Sequence, residues 1–552
     1  MASDGLRVPP IACIGPQEWY NHNRGGASVL SNDAASGGGG SSTVVLSVYT
    51  GRLDPMRRGD RLKLSWRLLL TPVRGGGTPV RADFSTRYFH MQRFVSVEEV
   101  LRTSPTKPWI ILHQGNQLIP YINYPFLHLQ PLRDYIREAH AKGAKVKLYY
   151  TVRELSTFAV ELWALRALRG EVIVPSRGKA SGHVWLREHL RNNYTAAWHE
   201  VLANGEVDAA VQTPAFTTRW DNYWIEGILW LVRNLDIDGI YLDGAPYERN
   251  VLRRLRRALT AEGRGTGFLL DLHASCAGNP HLPYMELYPY LDSIWFGEQC
   301  EYKTFSPAMW LAEVSGVPFG LPAEILGDNT DQWQGLVHGM TCRIYPDPMR
   351  CNPRPLWAAL DSMGLTNPRM LGWWDAASPV SVTAPTISYG KDAGRGPAVV
   401  ATLFVADGRA DAPRFAVVRH SSQLLPRTRT RVFVGTSISH PVLSPQPPLS
   451  LWPLAAHPIP PPPSPPTPPP IPPSPPDSQA LANWADQPVS LTLHINATAL
   501  ASLGLSTPAT ALRLRAPRIE GFQTAHEWGI GHEIALRKKG AGLNEGLLLE
   551  LS

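Results

Sequence analysis

The sequence predicts an α/β chain: a (β/α)8 TIM barrel flanked by an N-terminal β-rich segment and a C-terminal β-sandwich. Three observations carry that prediction. Eight short apolar runs alternate with helix-like stretches between residues 84 and 378, the pattern of repeated βα units around a parallel sheet. Sequence on either side alternates like half-buried strands and lacks helical periodicity. The chain, at 552 residues, is long enough for a barrel of about 250 residues with further domains beside it.

Residues 1–83 are expected to form an N-terminal β-sandwich-like segment whose true start the sequence does not establish. Within it, 62–68 alternates as a strand facing water on one side, and Gly37 to Gly40 interrupts as a flexible insert. The barrel follows over 84–378, with strands expected at 86–89, 109–113, 146–151, 239–243, 268–272, 293–297, 318–322 and 340–344. Between them, 131–142 reads as a helix stopped by Gly143. Residues 221–234 read as another, capped by Asp221, with Trp224, Ile228, Leu231 and Leu235 on one face. The stretch 155–219 is too long for one barrel helix; with His183, Trp185, His189, Tyr194 and Trp198 it is expected to elaborate the loop after the third strand, over the catalytic face.

Residues 379–552 are expected to form the C-terminal β-sandwich, with strands at 398–405, 489–495 and 546–551 and a proline-rich insert at 423–478. The prolines of 458–476 lack backbone donors and predict an extended polyproline II spacer, open to contacts mediated by the tract itself.

Composition bounds the partners. The arginines of 249–257 alternate with Val251, Leu252 and Leu255 at helical spacing, which is the wet face of a helix; no nucleic-acid recognition motif accompanies them. No apolar span is long enough for a membrane helix, and 1–20 lacks a basic start followed by an apolar run, so neither membrane nor signal peptide is read; an extracellular or wall-associated location stays open. Cys13, Cys276, Cys300, Cys342 and Cys351 contain no C-x-x-C pair. Walker, dinucleotide-binding, H-E-x-x-H and G-x-S-x-G motifs are absent, so no cofactor and no metal is expected.

The strongest local signal is 236–249, where an apolar strand ends on Asp243 before a Gly-Ala-Pro turn. Active sites of such barrels lie at the carboxyl ends of the strands, which makes Asp243 functional and assigns Asp236 and Asp238, ahead of the strand, to the stability face. The same geometry delivers Asp271 with His273, and then Glu298, to the same rim. Glycosidic cleavage needs a proton donor and a second carboxylate, so Asp243 and Glu298 form the preferred pair. Glu154 and Glu324 are further rim acids, Arg153 is a rim cation able to pair with Glu298, and His273 is read as orienting a hydroxyl. Tyr149, Tyr150, Tyr241, Trp295, Phe296, Trp373 and Trp374 gather at the strand ends; Tyr150, Tyr241, Trp295 and Trp374 are expected to stack on sugar faces.

Asn123-Tyr-Pro-Phe126, Trp224-Ile-Glu-Gly227, Ile237-Asp-Gly-Ile-Tyr-Leu-Asp243, Trp295-Phe-Gly-Glu298 and Gly316-Val-Pro-Phe-Gly320 together resemble the glycoside hydrolase family 123-like proteins. The resemblance spans nearly the whole chain, with 81–88 similar to the junction into the barrel and 480–488 to the C-terminal β-domain resuming after the proline insert. It implies a catalytic barrel between β-sandwiches acting on glycans, with β-linked N-acetylgalactosamine the substrate of the hexosaminidase members. Those members use neighbouring Asp and Glu residues. No adjacent Asp-Glu dipeptide occurs in this sequence, so Asp243 and Glu298 rest on strand-end position. Two other readings stand beside the hydrolase: a carbohydrate-binding or cell-wall-associated protein on the same scaffold, and another barrel enzyme such as an isomerase or lyase.

Overall fold

The computed structural model describes residues 11–14, 26–32, 43–49, 66–69, 71–73, 81–104, 108–151, 154–175, 184–190, 198–202, 204–214, 218–243, 248–275, 282–298, 305–325, 332–345, 352–389, 395–405, 414–419, 489–502, 513–529, 533–536 and 547–551. The 458–476 tract, Arg153, His183, Tyr194 and the turn after Asp243 lie outside them. Strands β1 (Ile11–Ile14) and β4 (Trp66–Leu69) pair antiparallel, as do β2 (Gly26–Asn32) and β3 (Thr43–Tyr49).

Seven parallel strands follow: β5 (Tyr88–Met91), β6 (Trp109–Leu112), β7 (Lys145–Thr151), β11 (Gly239–Asp243), β12 (Leu269–Ser275), β13 (Ser293–Glu298) and β14 (Ala323–Ile325). Segment 341–344 bridges the two edges: Ile325 N donates to Thr341 O, and Ile344 exchanges backbone bonds with β5. The result is a TIM-barrel-like parallel sheet.

Alternation along each strand sorts its residues. Phe89, Ile110, Leu112, Val146, Leu148, Ile240, Leu242, Leu270, Leu272 and Ile294 face outward and join one core with the helices. Tyr88, Ile111, Tyr149, Tyr241 and Trp295 face inward and form a second cluster inside the barrel.

Helix α1 (Leu129–Ala141) buries Leu132, Tyr135, Ile136 and Ala139 and stops at Gly143, whose φ of +80° suits glycine. Helix α2 (Arg219–Leu235) starts two residues earlier than expected. Thr218 is its cap, the hydroxyl accepting from Trp220 N, while Asp221 reaches back to accept from Thr218 N. Helix α3 (Arg249–Ala261) buries Val251, Leu252, Leu255 and Leu259 and leaves Arg253, Arg254 and Arg257 in water, as the solvated-face reading requires.

Two strands differ from expectation: 340–344 is present only as isolated bridges at Cys342 and Ile344, and the seventh strand is displaced. Residues 317–319 form a 3-10 turn, and β14 begins only after Pro322, because Pro318 and Pro322 have no N–H to give a parallel ladder. Glu324, expected just past a strand end, therefore sits inside the strand.

The loop after β7 is built as an arm. Strands β8 (Glu154–Ser156), β10 (Val207–Gln212) and β9 (Trp198–Val201) form an antiparallel sheet in that order. Two buried side chains fasten it to the barrel rim. Asn123 donates to Thr151 Oγ1 (2.8 Å) and Glu154 O (2.6 Å), and Asp208 accepts from Ile122 N (2.8 Å) and Ser156 Oγ (2.6 Å). Beyond the barrel, a six-stranded antiparallel sheet and a three-stranded one occupy the C-terminal sequence. Strand Arg369–Leu371, expected within the barrel unit, pairs with Val399–Val405 and so belongs to that six-stranded sheet. Cys342 is disulfide-bonded.

At the amino-terminal level of the barrel, Lys147 and Asp271, both fully buried, are joined by an ion pair. The Lys147 ammonium also stands 4.3 Å from the Tyr88 ring centroid, and Ser293 Oγ donates to Asp271 at 2.7 Å. Burial pushes Lys147 down and Asp271 up, each toward neutrality, and their contact opposes both shifts. Lys147→Met is expected to cost about 3–5 kcal/mol in urea unfolding by stranding Asp271, with Lys147→Met/Asp271→Leu recovering most of it. Equal losses in the single and double variants would show that the pair does not act as a unit.

Candidate functional site

Three neighbouring strands converge on one carboxylate. Asp243 ends β11, where it is register partner to His273 on β12 and to Thr151 on β7. His273 Nδ1 stands 2.7 Å from Asp243 Oδ1, and the Tyr149 hydroxyl of β7 donates to Oδ2. Both oxygens are held, yet the Asp243 side chain keeps 32% of its surface open while His273 keeps 7%.

The site continues along β6 and β5. The His113 ring lies 4.2 Å from that of Tyr149, and its Nδ1 is 2.9 Å from Gln114 O. His90 stands 5.1 Å from His113 and stacks on Tyr345 at 5.3 Å. Below, Tyr241 stacks on His273 at 5.6 Å and meets Trp295 edge-on at 5.1 Å. Arg343 lies over Trp295 (4.6 Å) and donates to the Tyr345 hydroxyl (2.6 Å). The interior is thus layered: an ion pair at the amino end, an aromatic and arginine layer, then a carboxylate among imidazoles and phenols at the carboxyl end.

Electrostatics at Asp243 follow from two opposed effects. Burial pushes its carboxyl up, but the charge and hydrogen bond of His273, the Tyr149 hydroxyl and the charge of His113 together bring it down to about 2. Burial, then the Asp243 charge, drives the Tyr149 phenol well above its ordinary value, and burial lowers His113. Asp243 is therefore held ionised at neutral pH, a state that suits a base, nucleophile or charge stabiliser and not a proton donor.

The other residues nominated from sequence divide. Tyr241 lies inside the barrel directly beneath the carboxylate layer. Asp271 is at the lower level and committed to Lys147 and Ser293, so strand alternation puts it on the right face but two residues too deep. Trp295 is wholly buried in the middle layer, with its indole N–H on Ser293 Oγ. Tyr150 points outward into the shell beneath the helices, and Tyr149 takes the inward position beside it. Glu154 lies in the arm, 3% exposed. Glu324 lines a cavity of about 190 Å³ at the amino-terminal mouth with Tyr88, Ser293 and Thr341, and burial raises its carboxyl well above the usual range; it is not a rim acid. Trp374 stacks on His338, ahead of the eighth strand position, and not on a strand end. Glu298 is the last residue of β13; its side chain and Arg153 lie outside the described residues.

His90, His113 and Tyr345 were not singled out from sequence. The signal was there: the alternation that keeps Tyr241 with Asp243 also aligns Tyr88 with His90, Ile111 with His113, and Arg343 with Tyr345. Among the described residues, no group of three or more His, Cys, Asp or Glu is placed to hold a metal ion.

Residues 80–345 match the model of the Glycoside hydrolase 123, TIM-barrel domain, which bears out the sequence resemblance over the barrel. No curated protein matches the sequence. Among solved structures, the chain is similar to a noncanonic maltogenic α-amylase from Thermotoga neapolitana, with 8% identity and a TM-score of 0.43 over 85% of this chain and 98% of that one. It is also similar to an α-amylase from Geobacillus thermoleovorans complexed with acarbose, with 10% identity and a TM-score of 0.41 over 85% and 99%. A GH27 β-L-arabinopyranosidase from Geobacillus stearothermophilus gives 10% identity and a TM-score of 0.41 over 85% and 97%. Likenesses this loose say nothing about activity.

The depressed Asp243 carboxyl has a consequence for acid stability. Its ordinary value is 3.8 and its folded value about 2, so its contribution is present above pH 4 and lost as pH falls toward 2. With the carboxyl one-third open to water, that contribution is on the order of 1–2 kcal/mol. Thermal unfolding of wild type and Asp243→Asn should therefore converge between pH 4 and pH 2. A gap independent of pH would show that the carboxyl is not depressed.

Proposed function

We propose that this glycoside hydrolase 123-type barrel hydrolyses glycosidic bonds of a glycan, with β-N-acetylhexosaminides as the substrate class and Asp243 as the ionised carboxylate of the reaction. The observation that carries the reading is the clamping of Asp243 by His273 and Tyr149 at the carboxyl end of the barrel. A glycosidic transition state gathers positive charge at the anomeric carbon, and a fixed carboxylate that stays ionised in a partly dry site stabilises that charge, attacks, or takes the proton of attacking water.

The surrounding rings suit a sugar. His113, partly exposed, offers a ring face and a polar edge to it, and the buried Tyr149, His273, His90 and Tyr345 hold that layer in place. A proton donor for the leaving oxygen is also required, and two acids contend for it: Glu298, ending β13, and Glu200 of the arm. We assign 1–83 and the sequence from the 369–371 strand onward to flanking β-domains around the barrel, and the disulfide at Cys342 supports action in an oxidising compartment.

The wild type is expected to turn over chromogenic glycosides, β-N-acetylgalactosaminide and β-N-acetylglucosaminide among them. Asp243→Asn should lower the rate by about 10²–10⁴-fold while keeping the wild-type circular dichroism. Full activity in the variant would remove Asp243 from the chemistry. A silent wild type that still binds glycans would put the carbohydrate-binding reading first.

A further inference from the structure

We propose that Glu200, carried on the arm that follows the third barrel strand, is the proton donor working opposite Asp243. The proposal rests on the hydrolase reading and names a residue that no strand end supplies.

Two independent pieces of geometry aim Glu200 at the rim. In the antiparallel pairing of β9 with β10, Glu200 is the register partner of Asp208. Directly paired residues present their side chains on the same face of a sheet. Asp208 is wholly buried against Ile122 N and Ser156 Oγ, so that face meets the segment following β6, where the Glu200 side chain itself stays exposed. The second piece is Gly115, just beyond the end of β6. A Cβ built there would lie 2.7 Å from Glu200 Oε2 and 3.3 Å from Oε1, so the carboxyl rests on the glycine. Gly115 has φ of +83°, a conformation glycine adopts freely, and it thereby provides both the turn and the space.

That turn is also the outer support of Asp243. His113, two residues before Gly115, packs on Tyr149, and Tyr149 donates to Asp243. The 113–115 turn thus has the clamped carboxylate on one side and the Glu200 carboxyl on the other. The turn is itself braced, Asn116 donating to His113 O and accepting from Leu118 N.

The two acids differ as the reaction requires. Asp243 is charge-paired and depressed, whereas burial raises Glu200 above its ordinary value. Asp208, its cross-strand neighbour on the same face, is also raised, to about 6, first by burial and in part by the Glu200 charge; its oxygens are committed to Ile122 and Ser156, which leaves Glu200 as the acid that can reach a substrate. In turnover, the bond from the anomeric carbon to the glycosidic oxygen breaks with its electron pair going to oxygen. Glu200 gives that oxygen its proton, the leaving group departs as an alcohol, and water adds hydroxyl to the anomeric carbon and returns a proton to the carboxylates.

The test compares the full-length wild type with Glu200→Gln and Glu298→Gln on aryl glycosides of one sugar that span good and poor leaving groups. For Glu200→Gln the expected loss is about 10²–10⁴-fold on poor leaving groups and far smaller on dinitrophenyl, which needs no protonation. A structural defect would lower all substrates alike. An even loss across the series, retention of activity on poor leaving groups, or the graded pattern in Glu298→Gln instead would each overturn the assignment while leaving the hydrolase reading intact. A wild type with no turnover on any member overturns both.

Discussion

The buried ion pair between Lys147 and Asp271 ties together the strands that carry the site, and what makes it possible is the absence of a side chain between them. Lys147 lies on β7 and Asp271 on β12, with β11 in between; the intervening residue at that level is Gly239, register partner of both Lys147 and Leu269. A Cβ there would meet Leu269 O at 2.4 Å and Lys147 Cγ at 3.0 Å. Glycine lets the lysine stem cross one strand to reach the carboxylate on the next. Isolating either charge in that interior would be costly, so the pair fixes the relative register of three strands. The residues two positions further along the same strands, Tyr149, Tyr241 and His273, inherit that register and form the wall beneath and beside Asp243.

The same interior separates acids by environment, not by type. Asp243, Asp271 and Glu324 all project into the barrel, and burial raises each of them. Only at Asp243 do nearby groups reverse the effect, because His273 and Tyr149 reach both of its oxygens while the strand end keeps it in contact with water. Asp271 spends its charge on Lys147, and Glu324 sits at the amino-terminal end, where burial dominates. A carboxylate that is ionised, oriented and still accessible is the combination a glycosidase needs, and the layering of the barrel produces it once among these three.

How much of this was legible in the sequence depends on which physical rule governed each position. Strands β6, β7, β11, β12 and β13 were readable because apolar runs bounded by turn residues announce themselves, and Asp243 with His273 followed from their place at strand ends. The seventh strand was misplaced because an apolar, proline-flanked run mimics a strand until the missing N–H groups are counted, and the error carried Glu324 to the wrong end of the barrel. Choosing between Tyr149 and Tyr150 required strict phase: one residue decides whether a side chain enters the barrel or the helical shell. Trp295 and Trp374 were nominated as aromatics at strand ends, and packing claimed both. Glu200 had no sequence signal, since its position depends on a pairing between segments that only the folded arm brings together.

That last point bears on why an arm should supply an acid at all. The hexosaminidases that the resemblance implies use two neighbouring acids, whereas here Gly244 follows Asp243. A barrel whose strand end carries a single acid must take its proton donor from another strand or from a loop that folds back over the rim. The loop after β7 is long enough to form a sheet of its own, and it is pinned at Asn123 and Asp208 by hydrogen bonds of 2.6–2.8 Å. Pinning matters because a proton donor must be held where the leaving oxygen will stand, and a side chain on a paired strand is better fixed than one on a free loop. Gly115 completes the arrangement from the barrel side, since any larger residue would occupy the space in which the Glu200 carboxyl rests.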